Sequence, residues 1–178
     1  MTADVKNIEP ICRSIELILS DVDGVMTDGL LVYDNQGIET KRFYVRDGIG
    51  IRLWQKAGHK FGIITLRSSQ IVRSRAAELD IEIVRQGAGN KLATLQSILD
   101  ETGITAERTC YIGDDLPDLP VIRKVGLGVA VADACVEVRQ SAHFVTKTPG
   151  GHGAVRETVE MILKAQMRWE DLIQPYAM

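Results

Sequence analysis

Short apolar segments alternate with longer amphipathic segments along most of the chain. The apolar segments have the length of buried strands, which we predict at residues 15–20, 60–65, 81–84, 109–113, 128–131 and 143–146. The intervening segments have helical periodicity, and the predicted helices are 50–56, 69–79, 91–102, 119–125 and 154–167. Strands that alternate with helices in this way form a parallel sheet with helices on both faces. The sequence therefore predicts an α/β fold, a three-layer sandwich around a central, mostly parallel sheet.

Residues 30–44 interrupt this alternation. They form two extended stretches around Asn35-Gln36-Gly37, a pattern typical of a β-hairpin. The segment follows the loop after the first strand, so we expect it to protrude from the carboxyl edge of the sheet, where ligands bind in such folds. Because no repeat or linker divides the chain, we predict one domain over residues 1–178, with the hairpin inserted at about 30–44 and a C-terminal tail at about 169–178.

Composition and charge exclude several classes of protein. With 178 residues, 45% hydrophobic and 25% charged, the chain has the balance of a soluble globular domain. Its net charge of −3 gives no reason to expect nucleic acid or a membrane as a partner, and no apolar run reaches the roughly 20 residues that cross a bilayer. The sequence starts without a hydrophobic signal segment, and its three cysteines have no metal-site spacing. We therefore expect a cytoplasmic protein.

Two carboxylates follow the first predicted strand. Asp21 and Asp23 are separated by one residue, and in an extended loop this spacing directs both side chains to the same side. Carboxylates so close raise each other's pKa unless a cation intervenes, and a hard ion with oxygen ligands, such as Mg²⁺, would remove the repulsion. An isolated Asp-x-Asp-Gly is more often a simple turn, so the interpretation depends on the rest of the chain.

Three further residues are candidates for contact with an anion. Thr65 ends the second predicted strand, so its hydroxyl reaches the same edge of the sheet, although it would also serve to cap the next helix. Arg67 lies two residues later, in a loop where most arginines are simply solvated. Lys91 lies in the first turn of a predicted helix, after the N-cap Asn90, where the helix dipole opposes a cation. Helix stability does not explain this lysine, whereas a bound anion does.

Three more carboxylates, Asp114, Asp115 and Asp118, follow the fourth predicted strand. They would repel the first pair unless a metal ion or Lys91 compensates; an acidic surface loop is the alternative. Carboxylates after two strands, a hydroxyl after another and a lysine at a helix start are together the parts of a phosphoryl-transfer site. They supply a nucleophile, an acid/base group, anion contacts and metal ligands.

The order of these motifs resembles the haloacid dehalogenase superfamily of phosphatases. The resemblance covers about residues 15–167, and the segments that carry it are 21–29, 63–65, Lys91, 113–118 and 150–157. Within the superfamily, the chain is similar to the small capless branch that acts on 3-deoxy-D-manno-octulosonate 8-phosphate in lipopolysaccharide precursor synthesis. The resemblance implies a Rossmann-like fold with the hairpin in place of a cap domain. It also implies a homotetramer, in which the hairpins form a central barrel and the active sites lie at subunit interfaces.

The resemblance assigns roles to the matching residues. Asp21 would be the nucleophile that forms an aspartyl phosphate, and Asp23 the general acid and base. Mg²⁺ would be the cofactor, held by the Asp21 carboxylate, the Asp23 backbone carbonyl and Asp114. The remaining implied groups are the phosphate-binding Thr65 and Lys91, the supporting acids Asp115 and Asp118, and the substrate-binding Gly24, Arg67, Arg75 and Arg156.

The implied substrate is a small sugar-acid phosphate monoester. Relatives in this branch usually have Gly where this chain has Leu66, and Leu does not tolerate the positive φ that Gly adopts. Arg67 favours the octulosonate 8-phosphate, because phosphatases of nonulosonate 9-phosphates carry Glu there; the 9-phosphates are the alternative. Arg75 and Arg156 are candidates to bind the substrate carboxylate, within one subunit or across a boundary, or are ordinary surface arginines.

Two hypotheses from other classes use the same parts. A phosphorylated receiver domain also combines a parallel sheet, an acidic metal site, a Thr and a Lys, but its phosphorylated Asp follows a later strand. The one-residue spacing of Asp21 and Asp23 instead favours turnover over a stored phosphate. A non-catalytic relative kept for its assembly would not need the complete set of acidic, Thr and Lys positions, and only Leu66 favours it.

Overall fold

The structure, a computed structural model, describes residues 5–176. Its strands are β1 (Leu17–Ser20), β2 (Val32–Tyr33), β3 (Glu39–Thr40), β4 (Lys60–Ile64), β5 (Ile83–Arg85), β6 (Thr109–Gly113), β7 (Leu127–Ala130) and β8 (Phe144–Val145). Its α-helices are α1 (Val5–Ser14), α2 (Val45–Lys56), α3 (Gln70–Glu78), α4 (Lys91–Thr102), α5 (Leu119–Ile122), α6 (Val136–Ser141), α7 (Ala154–Ala165) and α8 (Trp169–Ile173). Six strands form one sheet in the order β5-β4-β1-β6-β7-β8, and every pairing in it is parallel. This confirms the predicted α/β sandwich.

β1 lies at the centre of this sheet, between β4 and β6, and all four of its residues are buried. The core around it consists mainly of Ile, Val, Leu and Ala, with few aromatic side chains such as Trp54 and Tyr111. Cys110 on β6 is buried and unpaired. A central parallel strand is covered on both faces, so its sequence is continuously apolar rather than alternating. For that reason the sequence identifies this strand clearly.

Most predicted elements are present, with boundaries that shift by a few residues. α4 has the predicted bounds: the Asn90 side chain accepts a hydrogen bond from the Ala93 N–H (3.0 Å), and Gly103 ends the helix in the left-handed conformation (φ 68°). β1 and β5 each begin two residues later than predicted. α1, α6 and α8 were not predicted, because α1 contains Pro10, α6 has only six residues and α8 lies in the predicted tail.

α2 begins at Val45, five residues before the predicted start. Gly48 and Gly50 lower the helix propensity of its first half, but both lie where the helix packs closely on its neighbours. A Cβ on Gly48 would lie 2.7 Å from the Nη2 of Arg75, and one on Gly50 would lie 3.2 Å from the Cα of Arg156. Tertiary packing therefore overrides the local preference.

The predicted hairpin is present, but each strand has only two residues. β2 and β3 are antiparallel, and Tyr33 lies opposite Glu39. Its apolar side chains lack a core beneath them: Leu30, Leu31, Val32, Tyr33 and Ile38 are 49–62% exposed. Within the predicted tail, residues 169–173 form α8, whose Trp169 and Leu172 are buried. None of the helices in the described part of the chain could span a membrane.

Candidate active site

Three neighbouring strands bring the predicted residues to one edge of the sheet. Asp21 follows β1, Thr65 follows β4 and Asp114 follows β6. Ser20, the last residue of β1, pairs with Ile63 on one side and with Ile112 on the other, so the three strands end at nearly the same level. Because the strands are parallel, their carboxyl ends and the residues after them meet in one small volume.

Lys91 reaches this volume from the start of α4. Its Nζ lies 3.0 Å from the Oδ2 of Asp21 and 2.6 Å from the Oδ1 of Asp118, and the side chains of Lys91 and Asp118 are almost fully buried. Burial opposes the charge on Lys91, but the attraction of the two carboxylates outweighs it and raises the pKa of the lysine. Lys91 is therefore a charged ammonium group in direct contact with the predicted nucleophile.

Asp118 accepts four hydrogen bonds. Its Oδ1 accepts hydrogen bonds from the Lys91 ammonium and from the hydroxyl of Tyr111 (2.6 Å). Its Oδ2 accepts from the backbone N–H groups of Asp114 (3.0 Å) and Asp115 (3.2 Å). These bonds fix both the lysine and the loop after β6. Asp115 itself is exposed and forms a capping box with Asp118 at the start of a short 3₁₀ helix. The geometry thus separates the two supporting acids: Asp118 holds Lys91, whereas Asp115 shapes the loop.

Asp21, Asp114 and Asp118 have carboxylate oxygens within 4.8 Å of one another. Asp118 has no free oxygen, but the Oδ1 atoms of Asp21 and Asp114 are buried and have no hydrogen-bond partner within residues 5–176. Burial, followed by repulsion from neighbouring carboxylates, raises the pKa of Asp21 to about 7 and that of Asp114 to about 8. Two buried oxygens without donors are an environment that a divalent cation satisfies. The residues therefore fit a Mg²⁺ ion at Asp21 and Asp114.

Gly24 leaves the space that Asp114 occupies. Its φ is +96°, and a Cβ at this position would lie 2.1 Å from the Oδ2 of Asp114. A second glycine, Gly150, packs against the other side of this turn, since its Cβ would lie 1.8 Å from the carbonyl oxygen of Gly24. Both glycines belong to motifs identified in the sequence. Gly24 is required by the close approach of the Asp114 side chain, and Gly150 by the close approach of the Gly24 backbone.

The hairpin supplies residues that the sequence analysis missed. Lys41 donates to the Oδ1 of Asp23, and its Nζ lies 3.3 Å from the Oε1 of Glu39. Arg67 donates to the same Glu39 oxygen (2.8 Å) and to the hydroxyl of Tyr33 (3.1 Å). The available signal was the spacing of Glu39 and Lys41 in the predicted hairpin, because residues two apart in an extended segment share a face.

The predicted substrate-binding residues lie in two places. Arg67 is beside Asp23, with its Nε 3.9 Å from the Oδ2 of that residue. Arg75 and Arg156 lie instead around the buried Asp47: the Arg156 N–H donates to Asp47 Oδ1 (2.7 Å), and both arginines attract that carboxylate. No contact within residues 5–176 joins Arg75 or Arg156 to Asp21.

Leu66 causes no backbone strain. Among the described residues, Asp80 and Met167 are the non-glycine residues with positive φ, so Leu66 occupies the place of a glycine without needing its conformation. The Thr65 side chain beside it is buried, and its hydroxyl lies 3.4 Å from the N–H of Arg67. The loop after β4 is therefore intact, which removes the one observation that favoured a non-catalytic relative.

Comparisons with known proteins agree with this geometry. A family model described as haloacid dehalogenase-like hydrolase matches residues 69–157. Curated 3-deoxy-D-manno-octulosonate 8-phosphate phosphatases are similar over most of the chain: that of Escherichia coli K12 is 44% identical over 159 residues (89% of this chain, 85% of the relative), and that of Yersinia pestis is 46% identical over 157 residues (88% and 84%).

Solved structures agree as well. The Moraxella catarrhalis 3-deoxy-D-manno-octulosonate 8-phosphate phosphatase, in complex with a magnesium ion, a phosphate ion and a KDO molecule, has a TM-score of 0.95 and 40% identity over 97% of this chain and 99% of that one. A cobalt-bound Haemophilus influenzae phosphatase has a TM-score of 0.87 and 41% identity over 90% of this chain and 94% of that one. These matches decide between the phosphatase and the receiver domain in favour of the phosphatase. The chain belongs to the haloacid dehalogenase-like hydrolases and, within them, to the family of the 3-deoxy-D-manno-octulosonate 8-phosphate phosphatases.

Proposed function

We propose that this chain is a Mg²⁺-dependent phosphoric monoester hydrolase that converts 3-deoxy-D-manno-octulosonate 8-phosphate to 3-deoxy-D-manno-octulosonate and phosphate, a step in lipopolysaccharide precursor synthesis. The observation that carries the proposal is the buried Asp21 carboxylate, with one oxygen on Lys91 and the other unpartnered beside Asp114. The 3-deoxy-D-manno-octulosonate 8-phosphate phosphatases of Escherichia coli K12 and Yersinia pestis are 44% and 46% identical over most of the chain. That of Moraxella catarrhalis, 40% identical, was solved with a magnesium ion, a phosphate ion and a KDO molecule. Nonulosonate 9-phosphates are the alternative substrates.

In the first half of the proposed reaction, the carboxylate of Asp21 attacks phosphorus. The new bond between the Asp21 oxygen and phosphorus forms as the bond from phosphorus to the sugar oxygen breaks, and the electron pair of that bond stays on the sugar oxygen. Lys91, held by Asp118, orients the nucleophile and carries positive charge next to the phosphoryl oxygens. Thr65 and the backbone at Gly24 supply further contacts to those oxygens.

Asp23 completes both halves of the reaction. It donates a proton to the leaving sugar oxygen, and its carboxylate then takes a proton from the water that attacks the aspartyl phosphate. This releases phosphate and restores Asp21. The carboxylates of Asp21 and Asp114, with the backbone carbonyl of Asp23, would hold Mg²⁺, which neutralises charge on the transferred phosphoryl group.

The hairpin and the arginines support a multimeric site. The apolar side chains of the hairpin are about half exposed in the described chain, and such surfaces are typical of subunit contacts. A homotetramer with active sites at its interfaces would bring Arg75 and Arg156 of one subunit nearer to the active site of another, where they would bind the substrate carboxylate. Arg67 lies beside Asp23 of its own subunit. The three unpaired cysteines favour the cytoplasm.

A phosphate-release assay tests this function. We expect Mg²⁺-dependent turnover of the octulosonate 8-phosphate, slower turnover of nonulosonate 9-phosphates and least turnover of neutral sugar phosphates. Asp21→Asn should lower turnover by about 10⁴-fold or more, as expected when a covalent nucleophile is lost, while its circular dichroism spectrum stays unchanged. The exposed Asp171→Asn is the control. Full activity in Asp21→Asn would contradict the proposal, and a preference for neutral sugars would refute the role of the arginines.

A further inference from the structure

We propose that Lys41 is a positioning residue that holds one oxygen of Asp23, so that the other oxygen is available to the leaving group. This inference rests on the proposed function, because it concerns the proton that Asp23 donates. Through Lys41, the hairpin would act on the active site of its own subunit, in addition to any role in assembly.

The register of the hairpin places three polar side chains on one face. Tyr33 and Glu39 are directly paired across the two strands, so their side chains lie on the same side. Lys41 is two residues after Glu39, and its Nζ lies 3.3 Å from the Oε1 of Glu39, so both side chains are on the same side of the hairpin. This face is turned toward Asp23 and Arg67, as the contacts of Lys41 and of Glu39 show.

The Lys41 side chain is buried although the hairpin beside it is largely exposed. The apolar residues of the hairpin are 49–62% exposed, whereas the Lys41 side chain is 1% exposed. A buried lysine is costly unless carboxylates compensate its charge. Asp23 and Glu39 do so, and Arg67 balances the second negative charge through Glu39. The four charges form a neutral network, and its contact between Lys41 and Asp23 fixes one oxygen of that carboxylate.

The two oxygens of Asp23 have different surroundings. Oδ1 accepts from Lys41, whereas Oδ2 is buried and has no hydrogen-bond partner among residues 5–176. The Nε of Arg67 lies 3.9 Å from Oδ2, which is beyond hydrogen-bond distance. Oδ2 is thus the oxygen that remains for the substrate. Without Lys41, the carboxylate would be free to rotate and to pair with Arg67, which would take Oδ2 away from the leaving oxygen.

Two substrates with different leaving groups test this role. The leaving oxygen of the sugar phosphate must be protonated, whereas p-nitrophenolate leaves from p-nitrophenyl phosphate without a proton. Lys41→Met keeps the length of the side chain and removes its charge. Since general acid catalysis contributes about 10²- to 10⁴-fold, we expect kcat for the sugar-acid phosphate to fall by about 10- to 100-fold, and kcat for p-nitrophenyl phosphate by no more than about 3-fold. Lys41→Arg should restore most of the lost kcat.

The control is Arg42→Met, on the next residue of the hairpin, whose side chain is 79% exposed and pairs with Asp28. Arg42→Met should leave kcat for both substrates unchanged. Equal losses on both substrates in Lys41→Met would overturn the inference, as would a raised KM for the sugar-acid phosphate with an unchanged kcat, which would indicate contact with the substrate instead. If the unmodified protein hydrolyses neither substrate, the proposed function has failed. Circular dichroism and Mg²⁺-dependent thermal stabilisation establish that each variant is folded and binds metal.

Discussion

The Nζ of Lys91 lies 3.0 Å from the Oδ2 of Asp21, and both residues are buried at the carboxyl edge of the sheet. The contact joins the start of α4 to the end of β1, and it leaves the Oδ1 of Asp21 without a partner on the side of Asp114. One oxygen of the carboxylate is therefore oriented by a fixed charge, and the other is left for metal or substrate. Such preorganisation is what a nucleophile needs in a site of low dielectric constant.

Lys91→Met should both destabilise the protein and abolish turnover. The variant leaves the buried Asp21 and Asp118 carboxylates without their shared cation, and breaking a buried ion pair from one side costs about 3–5 kcal/mol. Urea unfolding of the metal-free protein measures the loss. Lys124→Met, at an exposed lysine, should change the free energy of unfolding by less than about 0.5 kcal/mol. Equal stability of the two variants would contradict the role of Lys91 in the buried network.

Gly24→Ala should weaken Mg²⁺ binding. Its Cβ would overlap the Oδ2 of Asp114, so the carboxylate must move from its place. Displacing a ligand or its support typically costs about 10- to 100-fold in metal affinity, which isothermal titration calorimetry can measure.

Gly37→Ala is the matched control for that variant, because Gly37 also has positive φ (78°) but open space around its Cβ position. Both variants place alanine at a positive φ, which costs about 1–2 kcal/mol of stability, whereas only Gly24→Ala should also lose Mg²⁺ affinity. Unchanged Mg²⁺ binding in Gly24→Ala would show that Asp114 is not a metal ligand.

Asp47 makes the stability of the protein depend on pH. Burial raises its pKa to about 6 from an ordinary 3.8, although the N–H of Arg156 and the charges of Arg156 and Arg75 oppose the shift. Because the pKa is higher in the folded state, the stability from protonated Asp47 is complete below about pH 4 and is lost as pH rises through about 6.

Asp47→Asn should remove this dependence, since Asn keeps an acceptor for the Arg156 N–H and cannot ionise. Relative to the variant, the free energy of unfolding of the unmodified protein should fall by about 2–3 kcal/mol between about pH 4 and pH 7.5. Urea unfolding at both pH values measures it, with the exposed Asp171→Asn as control. A constant difference between unmodified protein and variant across this range would refute the assigned pKa.

Val32→Glu should dissociate the proposed tetramer without unfolding the subunit. Val32 is 49% exposed on the hairpin, so a carboxylate there is tolerated by the monomer and excluded from an apolar interface. Light scattering coupled to size-exclusion chromatography should show a smaller species. Val136→Glu, at a valine on α6 that is also 49% exposed, should keep the larger species. Loss of assembly in both variants, or in neither, would contradict an interface formed by the hairpin.

Local signals in the sequence were enough to place several parts of the site. Asn90 and Gly103 set the bounds of α4 through their own backbone and side-chain preferences, and this fixed Lys91 in the first turn. The continuous apolar run of β1 placed Asp21 directly after a buried strand. These inferences depend on interactions within a few residues, and so the sequence contains them.

The role of Lys41 could not be inferred in this way, because it depends on how the hairpin folds back on Asp23, 18 residues away in the chain. The same holds for the four hydrogen bonds of Asp118, whose donors come from α4, β6 and the loop after β6. Arg75 and Arg156 were predicted near the substrate, yet within the subunit they surround Asp47.

The sequence by itself determined the order of strands and helices, the family and the set of groups available for phosphoryl transfer. Tertiary structure decided which oxygen of each carboxylate is engaged and which is free. The physical reason is that a side-chain type and its place after a strand specify a charge at one edge of the sheet, whereas hydrogen-bond partners depend on distances between segments far apart in the chain. For Asp21 and Asp23, the packed structure identifies the oxygen without a hydrogen-bond partner, which is the oxygen that the proposed function assigns to metal or substrate.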